Sequence, residues 1–373
     1  MTTIVNGTTG ITFSDNSIQN TAGINFRNRI INGAMVIDQR NNGSSITAND
    51  DTYAVDRFKT AASQSSKLTA QRNAGSVTPP AGFSNYLGYT SSSAYSVGSS
   101  DYFVCQHGIE GFNTADLAWG TASAQAITLS FWVRSSLTGT FGGSLRNASA
   151  DRSYPFTYTI SAANTWEQKT VNIAGDTSGT WGTGNGSGIT LGFGLGVGST
   201  LSGTAGAWAG ANYRSATGAV SVVGTNGATF YITGVQLEKA TTASSFDFRS
   251  YGTELNLCYR YYYKIFPQDT SSFLAIGYVT SSTTALLHGF YPVTMRIAPT
   301  ALEQSGTASN YRVASPVGSA NCSSVPVLNS NTNAYGFGIS FIVASGLTTG
   351  YGATGRTGDT TGANGYLAWS AEL

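Results

Sequence analysis

Apolar and polar residues alternate along most of this chain, and no other sequence feature restricts its fold as strongly. In ITLSFWVRSS (127–136), every second residue from Ile127 to Val133 is apolar. ATFYITGVQLE (228–238) follows the same pattern until Gly234 shifts it by one position. A period of two is typical of a β-strand with one buried face, and a glycine that shifts the period indicates a β-bulge. The sequence therefore predicts antiparallel strands arranged as a β-sandwich or jelly roll.

Composition supports an ordered, all-β protein with many turns. Only 10% of the 373 residues are charged, whereas globular domains average about 25%. Glycine accounts for 46 residues, and the chain carries 20 Tyr, 18 Phe and 6 Trp. Disordered chains are poor in aromatic residues, so this abundance argues for a folded core despite the low charge.

Other function classes find no support in the sequence. The net charge is +1 without a basic stripe, so we expect no nucleic-acid partner. No apolar run reaches the roughly 20 residues that span a membrane, so we expect no membrane insertion. The two histidines, His107 and His288, have no second ligand at metal-binding spacing, and we expect no metal and no cofactor. Cys105, Cys258 and Cys322 are expected to be buried free thiols.

The pattern divides the chain into four parts. Residues 1–24 form a short polar arm, 25–250 a jelly-roll domain, 251–264 a short helical junction, and 265–373 a smaller C-terminal β-sandwich. The helix is expected because four residues recur at helical spacing, namely Leu255, Cys258, Tyr259 and Tyr262. The arm has too few apolar residues to bury a core alone. We therefore expect it to dock on other proteins through Ile4, Val5, Ile11, Phe13 and Ile18.

The segment ATFYITGVQLEKATTASSFDFRSYGTELNLCYRYYYK (228–264) resembles a module found in tail fibres of tailed bacteriophages. NFRNRIINGAMVIDQR (25–40), YAVDRF (53–58) and TWEQKTVNIAGDTSGTW (165–181) match further parts of that family. GTTGITFSDNSIQNTAG (7–23) resembles a short arm at the starts of phage appendage proteins. The resemblance implies a homotrimer in the virion whose arm binds other virion proteins and whose β domains bind a bacterial surface glycan. Such a protein is made in the host bacterial cytoplasm and acts at the host cell surface.

The jelly-roll part more distantly resembles carbohydrate-binding modules attached to glycoside hydrolases. The resemblance rests on an opening strand with Asn32–Gly33, on the strand with Trp166, and on the closing strand FYITGVQLE (230–238). Closing strands of those modules often carry acidic residues near a structural calcium. This chain has Thr233 and Gly234 there, so the sequence predicts no calcium site.

The stretch ITLGFGLGVGST (189–200) places a glycine at every second position from Gly192 to Gly198. A dinucleotide-binding fingerprint needs a third glycine at fixed spacing and a helix behind it, and neither follows here. The sequence instead predicts a strand whose apolar residues, from Leu191 to Val197, face the core. Glycine weakens a strand, so its face is expected to lie against another chain, an overlying loop or a flat sugar.

Trp181, Trp208 and Tyr213 are the candidate sugar-binding residues. They lie in the glycine-rich stretches GTWGTGNG and GAWAGANY, and loops on a rigid sandwich commonly carry binding residues. Their rings can stack on the apolar faces of sugars. The alternative is that they cover the sheet or fill a subunit interface.

We expect no enzymatic activity and name no catalytic residue. Glycoside hydrolysis needs two carboxylates beside the scissile bond. The candidate carboxylates are expected to make turns or local ion pairs, and they are Asp50, Asp51, Asp56, Asp101, Glu110 and Asp116. Two alternatives to a glycan-binding fibre remain: a structural head-decoration or neck-fibre protein that binds no glycan, and a capsule depolymerase.

Overall fold

The computed structural model describes residues 4–6, 10–12, 18–19, 27–266, 272–358 and 365–373. Strands dominate this part of the chain, and its one α-helix is α1 (Tyr251–Tyr259). Two large apolar cores form, one among residues 30–237 and one among residues 274–371. The predicted all-β fold is confirmed.

The N-terminal arm contains three short strands that form an antiparallel sheet: β1 (Ile4–Asn6), β2 (Gly10–Thr12) and β3 (Ile18–Gln19). Four of the apolar residues expected to dock the arm lie on these strands: Ile4, Val5, Ile11 and Ile18. Their side chains lie outside the described part of the structure, and so does all of Phe13. The docking role of the arm stays a prediction.

The jelly-roll part is built from strands of two to eleven residues. In chain order they are β4 (Ile46–Thr47), β5 (Thr52–Val55), β6 (Phe58–Ala62), β7 (Leu68–Arg72), β8 (Leu87–Ser91), β9 (Tyr102–Glu110), β10 (Ile127–Ser135), β11 (Gly139–Arg146), β12 (Ser153–Ile160), β13 (Glu167–Ile173), β14 (Ser187–Val197), β15 (Ser202–Gly203), β16 (Ser215–Ala216) and β17 (Thr229–Glu238). The first sheet has the order β13-β10-β17-β8-β7-β4, and the second has the order β12-β11-β14-β9-β6-β5. The strand pairs within both sheets are antiparallel.

Alternation places the predicted residues in the core between these sheets. The apolar residues of β10 from Ile127 to Val133 are fully buried, as are those of β17 on both sides of Gly234. Gly234 has a φ of +60°, and the pairing of β10 with β17 shifts register between Ser130 and Trp132. The predicted bulge at Gly234 is confirmed.

The glycine-rich strand β14 has the two unlike faces that its sequence predicts. Its apolar residues from Leu191 to Leu195 are buried in the core, whereas Val197 is only half-buried. A Cβ on Gly194 would lie 2.7 Å from Ser215 Oγ, and one on Gly196 would lie 2.5 Å from Val223 Cγ1. An overlying loop of the same chain therefore covers the glycine face. Of the three expected coverings, this is the one observed.

The C-terminal part follows α1 and contains two sheets. Its strands are β18 (Tyr262–Ile265), β19 (Phe273–Ser281), β20 (Thr284–Phe290), β21 (Glu303–Gln304), β22 (Tyr311–Ser315), β23 (Gly318–Asn321), β24 (Val327–Leu328), β25 (Gly336–Ile342), β26 (Gly352–Thr357) and β27 (Leu367–Ser370). The small sheet has the order β18-β27-β21, and the large sheet has the order β23-β22-β26-β19-β20-β25-β24. Trp369 is fully buried between them and stacks on Phe337 with ring centroids 4.0 Å apart.

The helix is shorter than the sequence predicts. It ends at Tyr259, and Tyr262 begins β18, where it pairs with Ser370. The prediction that Tyr262 lies on a helical face is therefore wrong. Tyr262 lies in a strand because its pairing partner is far along the chain, and the local spacing of residues does not reveal such a partner. Cys258 on the helix does pack as predicted, against Ile31 of the jelly-roll part.

Buried charges hold the C-terminal part against the jelly roll. Glu372 pairs with Arg57, and their side chains are 7% and 2% exposed. Arg260, which follows α1, lies 2.5 Å from Glu110 of β9, and the Tyr261 hydroxyl donates to the same carboxylate at 2.6 Å. Burial raises the pKa of Glu110, but the hydrogen bonds from Arg260 and Tyr261 outweigh it and hold that pKa below its ordinary value. We call these five residues the junction network.

Candidate functional site

Three tryptophans meet where the loops after β9, β13 and β15 converge. The ring centroids of Trp119 and Trp181 are 4.7 Å apart, those of Trp119 and Trp208 are 5.1 Å apart, and those of Trp181 and Trp208 are 5.4 Å apart. All three pairs are edge-to-face, which is a preferred geometry for aromatic rings. The structure thus brings together two of the predicted residues, Trp181 and Trp208, and adds Trp119.

Backbone carbonyls fix the orientation of each of these rings. The indole N–H of Trp119 donates to Gln125 O at 2.8 Å, that of Trp181 to Ser178 O at 3.1 Å, and that of Trp208 to Ala174 O at 2.8 Å. Because these donors are already used, a ligand could engage only the faces and edges of the rings. The rings are also held in place before any ligand arrives.

A cleft of about 230 Å³ opens beside Trp119 and Trp181. Its lining also includes Ala115, Ala118, Gly182, Ile189 and the threonines Thr114, Thr121 and Thr183. Pockets for drug-sized ligands hold roughly 300–1,000 Å³, so a cleft of this size suits a ligand of one or two rings. We call it the tryptophan cleft. It combines the half-buried ring of Trp181 and the 7% exposed ring of Trp119 with three threonine side chains.

Trp208 and Tyr213, the other two residues predicted to bind sugar, do not line the cleft. Trp208 supports the cleft from behind, because it contacts both other tryptophans but is not among the lining residues. Tyr213 lies in the loop over the second sheet and packs on Gly203, where a Cβ would come within 2.2 Å of the tyrosine ring. The sugar-binding role of all three stays a prediction. Trp119 was not selected from the sequence, because its stretch DLAWG (116–120) contains a single glycine, whereas the stretches around Trp181 and Trp208 contain several.

The carboxylates considered for catalysis all have structural partners. Asp50 accepts from Ala62 N, Asp51 from Lys59, Asp56 from Gln39, Asp101 from Tyr95 and Ser63, Glu110 from Arg260 and Tyr261, and Asp116 from Arg29. The hydrogen bonds from Tyr95 and Ser63 lower the pKa of Asp101 to about 2. Burial raises the pKa of Asp56 to about 6. The absence of catalysis stays a prediction.

Groups that could bind a metal are separately engaged. His107 is buried, its Nε2 lies 3.1 Å from Ile31 O, and its ring packs on Phe58. Within the described residues, no three side chains of His, Cys, Asp or Glu come together in a way that could hold a metal ion. The three cysteines are buried and free, as the sequence predicts, and burial raises the pKa of Cys105 to about 12.

In the described part of the chain, no helix is both long and apolar enough to span a membrane.

Comparison with known proteins gives only distant similarities. No family model and no curated protein matches this chain. Among solved structures, it is similar to the enzymatically active domain of tailspike protein 4 from bacteriophage CBA120, with 12% identity, a TM-score of 0.32, and coverage of 58% of this chain and 22% of that chain.

Two carbohydrate-binding modules are similar at the same level. TmCBM61, solved with beta-1,4-galactotriose, has 9% identity, a TM-score of 0.29, and coverage of 57% of this chain and 99% of that chain. The family 11 module from Clostridium thermocellum, solved with a beta-1,3-1,4-mixed-linked tetrasaccharide, has 11% identity, a TM-score of 0.27, and coverage of 52% and 95%. All three TM-scores lie below 0.5, so the function has to be inferred from the residues of this chain.

Proposed function

We propose that this chain is a non-enzymatic fibre or appendage protein of a bacteriophage virion, and that its jelly-roll part binds a bacterial surface glycan in the tryptophan cleft. One observation carries the binding proposal: Trp119 and Trp181 wall a cleft with rings already fixed by hydrogen bonds. Pre-organised aromatic walls bind with little loss of side-chain entropy. The virion assignment rests on the sequence resemblance, and the glycan would belong to the surface of the host cell.

A glycan array followed by titration calorimetry tests this proposal. Trp181→Ala removes one wall of the cleft, and we expect affinity for the bound glycan to fall at least tenfold, because truncating an anchor residue costs about 2 kcal/mol or more. Trp181→Phe keeps a ring in place and should retain part of the affinity. Unchanged binding by Trp181→Ala, or no glycan bound by the parent protein, would contradict the proposal.

Trp166→Ala is the matched control. Its indole N–H also donates to a backbone carbonyl, that of Thr78, at 2.9 Å. Trp166 immediately precedes β13, whereas Ala174, which accepts from Trp208, immediately follows that strand. The control residue is therefore at the opposite end of the sandwich from the cleft, and its removal should leave glycan affinity unchanged.

A structural role in assembly is the second candidate, and an exposed apolar face favours it. On the large C-terminal sheet, Phe273, Ile276, Tyr278 and Phe290 are 48% to 86% exposed. Ile276 pairs with His288 across β19 and β20, and a register shift after Phe273 brings that residue to the face of Ile276, so these side chains share one face of the sheet. Soluble monomers rarely expose large contiguous apolar patches, so this face suits contact with another subunit.

Light scattering measures the oligomeric state, for which we expect a homotrimer. Replacing Ile276 and Phe290 by Ser should shift the particle toward the mass of one chain. Cryo-microscopy of the virion would then place the protein on a fibre, the neck or the head. A parent protein that remains monomeric at micromolar concentration would contradict the trimer.

A further inference from the structure

Two arginines meet on the outer face of the second jelly-roll sheet, one from the sheet itself and one from the loop that covers β14. Arg146 ends β11 and is 7% exposed. Arg214 belongs to the overlying loop, and its guanidinium stacks on the Tyr102 ring at 3.9 Å from the ring centroid. Arg146 hydrogen-bonds to Asn212 of the same loop, two residues before Arg214, and the two positive charges repel each other.

Arg146 has only neutral hydrogen-bond partners in the described structure. Its Nη1 donates to Asn212 Oδ1 at 2.8 Å, and its Nη2 donates to Gln106 Oε1 at 3.3 Å. Gln106 lies on β9, and β14 separates β9 from β11 in the sheet. The side chains of Arg146 and Gln106 therefore meet over β14, where Arg146 is opposite Thr190 and Gln106 is opposite Gly192.

Within the described residues, no carboxylate forms an ion pair with either arginine. The ion pairs found there leave out both Arg146 and Arg214. Burial lowers the pKa of Arg146 to about 10, and the nearby charge of Arg214 adds to that effect. Burial likewise lowers the pKa of Arg214, although Tyr102 and Asp50 act in the opposite direction.

Burying like charges together is unfavourable unless an opposite charge joins them. Solvent reaches the site, because Gln106, Arg214 and Asn212 are only half-buried. Guanidinium groups bind carboxylates and phosphates through paired N–H donors, and Arg146 shows hydrogen bonds from only two of its five. The adjacent amides of Asn212 and Gln106 suit the hydroxyl groups of a sugar.

We propose that Arg146 and Arg214 form a binding site for an oxyanion carried by an acidic saccharide, either a carboxylate or a phosphate. The proposal rests on the proposed glycan-binding function but places a second contact outside the tryptophan cleft. The anion supplies the missing partner for both guanidinium groups. We call Arg146, Arg214, Gln106 and Asn212 the arginine site.

Calorimetry with the whole chain tests the arginine site against matched ligands. The probes are uronic-acid oligosaccharides, the same oligosaccharides after reduction of their carboxyl groups, glucose 6-phosphate, and inorganic phosphate. We expect an acidic saccharide to bind at least tenfold more tightly than its neutral counterpart. Preference for the carboxylate or for the sugar phosphate identifies which oxyanion the site takes.

Arg146→Met and Arg214→Met should each abolish this preference. Arg134→Met is the control, because Arg134 also lies over a tyrosine ring, that of Tyr231, on the opposite sheet. Circular dichroism melting checks that each variant is folded, and Arg146→Lys should retain part of the preference because it keeps the charge.

Three results would overturn the proposal. Equal binding of acidic and neutral saccharides, with Trp181→Ala still weakening both, would remove the arginine site but keep the tryptophan cleft. Equal binding of inorganic phosphate and sugar phosphate would remove the saccharide from the proposal. Failure to bind any saccharide would contradict both the arginine site and the proposed function.

Discussion

The junction network and the arginine site bury the same side chain in opposite surroundings. In the junction network, Arg57 contacts Glu372 and Arg260 contacts Glu110. In the arginine site, the hydrogen bonds of Arg146 within the described residues go to the neutral oxygen atoms of Asn212 and Gln106. Removing one member of a buried ion pair leaves an uncompensated charge, whereas an arginine without a carboxylate partner has no pair to lose. Stability therefore explains the first region, whereas for the second we propose that a bound anion supplies the opposite charge.

Glu372→Gln should have the largest effect on stability. The variant leaves the buried guanidinium of Arg57 with a neutral partner, and we expect a loss of about 3–5 kcal/mol in the free energy of unfolding. Guanidinium chloride denaturation followed by tryptophan fluorescence measures it. Adding Arg57→Met should recover part of the loss, because it removes one of the two arginines that pair with Glu372, the other being Arg40. A Glu372→Gln protein as stable as the parent would contradict the structural role of the junction network.

The second largest effect that we expect is a dependence of the unfolding free energy on pH, caused by Asp56. Burial raises its pKa from 3.8 to about 6, so the folded state holds this proton more tightly than the unfolded state. Its contribution to stability is fully present below pH 3.8 and is lost as pH rises through about 6. The difference between parent and Asp56→Asn in unfolding free energy, measured from pH 3.5 to 7 (roughly the span of the two pKa values), should follow that curve. A pH-independent difference would contradict the raised pKa.

Gly194→Val tests the fit of the loop that covers the arginine site. The new Cβ would lie 2.7 Å from Ser215 Oγ, and we expect overpacking to cost about 1–3 kcal/mol in unfolding free energy. Gly184→Ala is the control, because a Cβ there meets no atom within 4 Å. Denaturation curves of the two variants compare them directly. Equal stability would mean that the loop moves aside without cost.

Arg214→Met should have the smallest effect on stability, between no change and a gain of about 1 kcal/mol, since it relieves repulsion with Arg146. The same denaturation experiment measures it beside Glu372→Gln. If Arg214→Met loses the preference for acidic saccharides but keeps its stability, Arg214 serves binding. Arg57 and Arg260 of the junction network, in contrast, serve stability. A cost as large as that of Glu372→Gln would place Arg214 among the structural residues.

The sequence predicts much of the fold because alternation is a local property. The inward faces of β10 and β17, the bulge at Gly234 and the bare face of β14 all follow from neighbouring residues. Contacts between distant residues escape such patterns. The end of α1 depends on the pairing of Tyr262 with Ser370, and the arginine site joins Arg146 to a loop that begins after β14. Trp119 joins Trp181 and Trp208 only because three loops converge.

The central place of β17 in the first sheet has a consequence for synthesis on the ribosome. β17 lies between β8 and β10, and it is the last strand of its sheet to be made. Until Glu238 has been added, β8 and β10 each present an open edge that can pair with another nascent chain. Fragments that stop before β17 should therefore aggregate, and the shortest soluble form of the jelly roll has to include that strand.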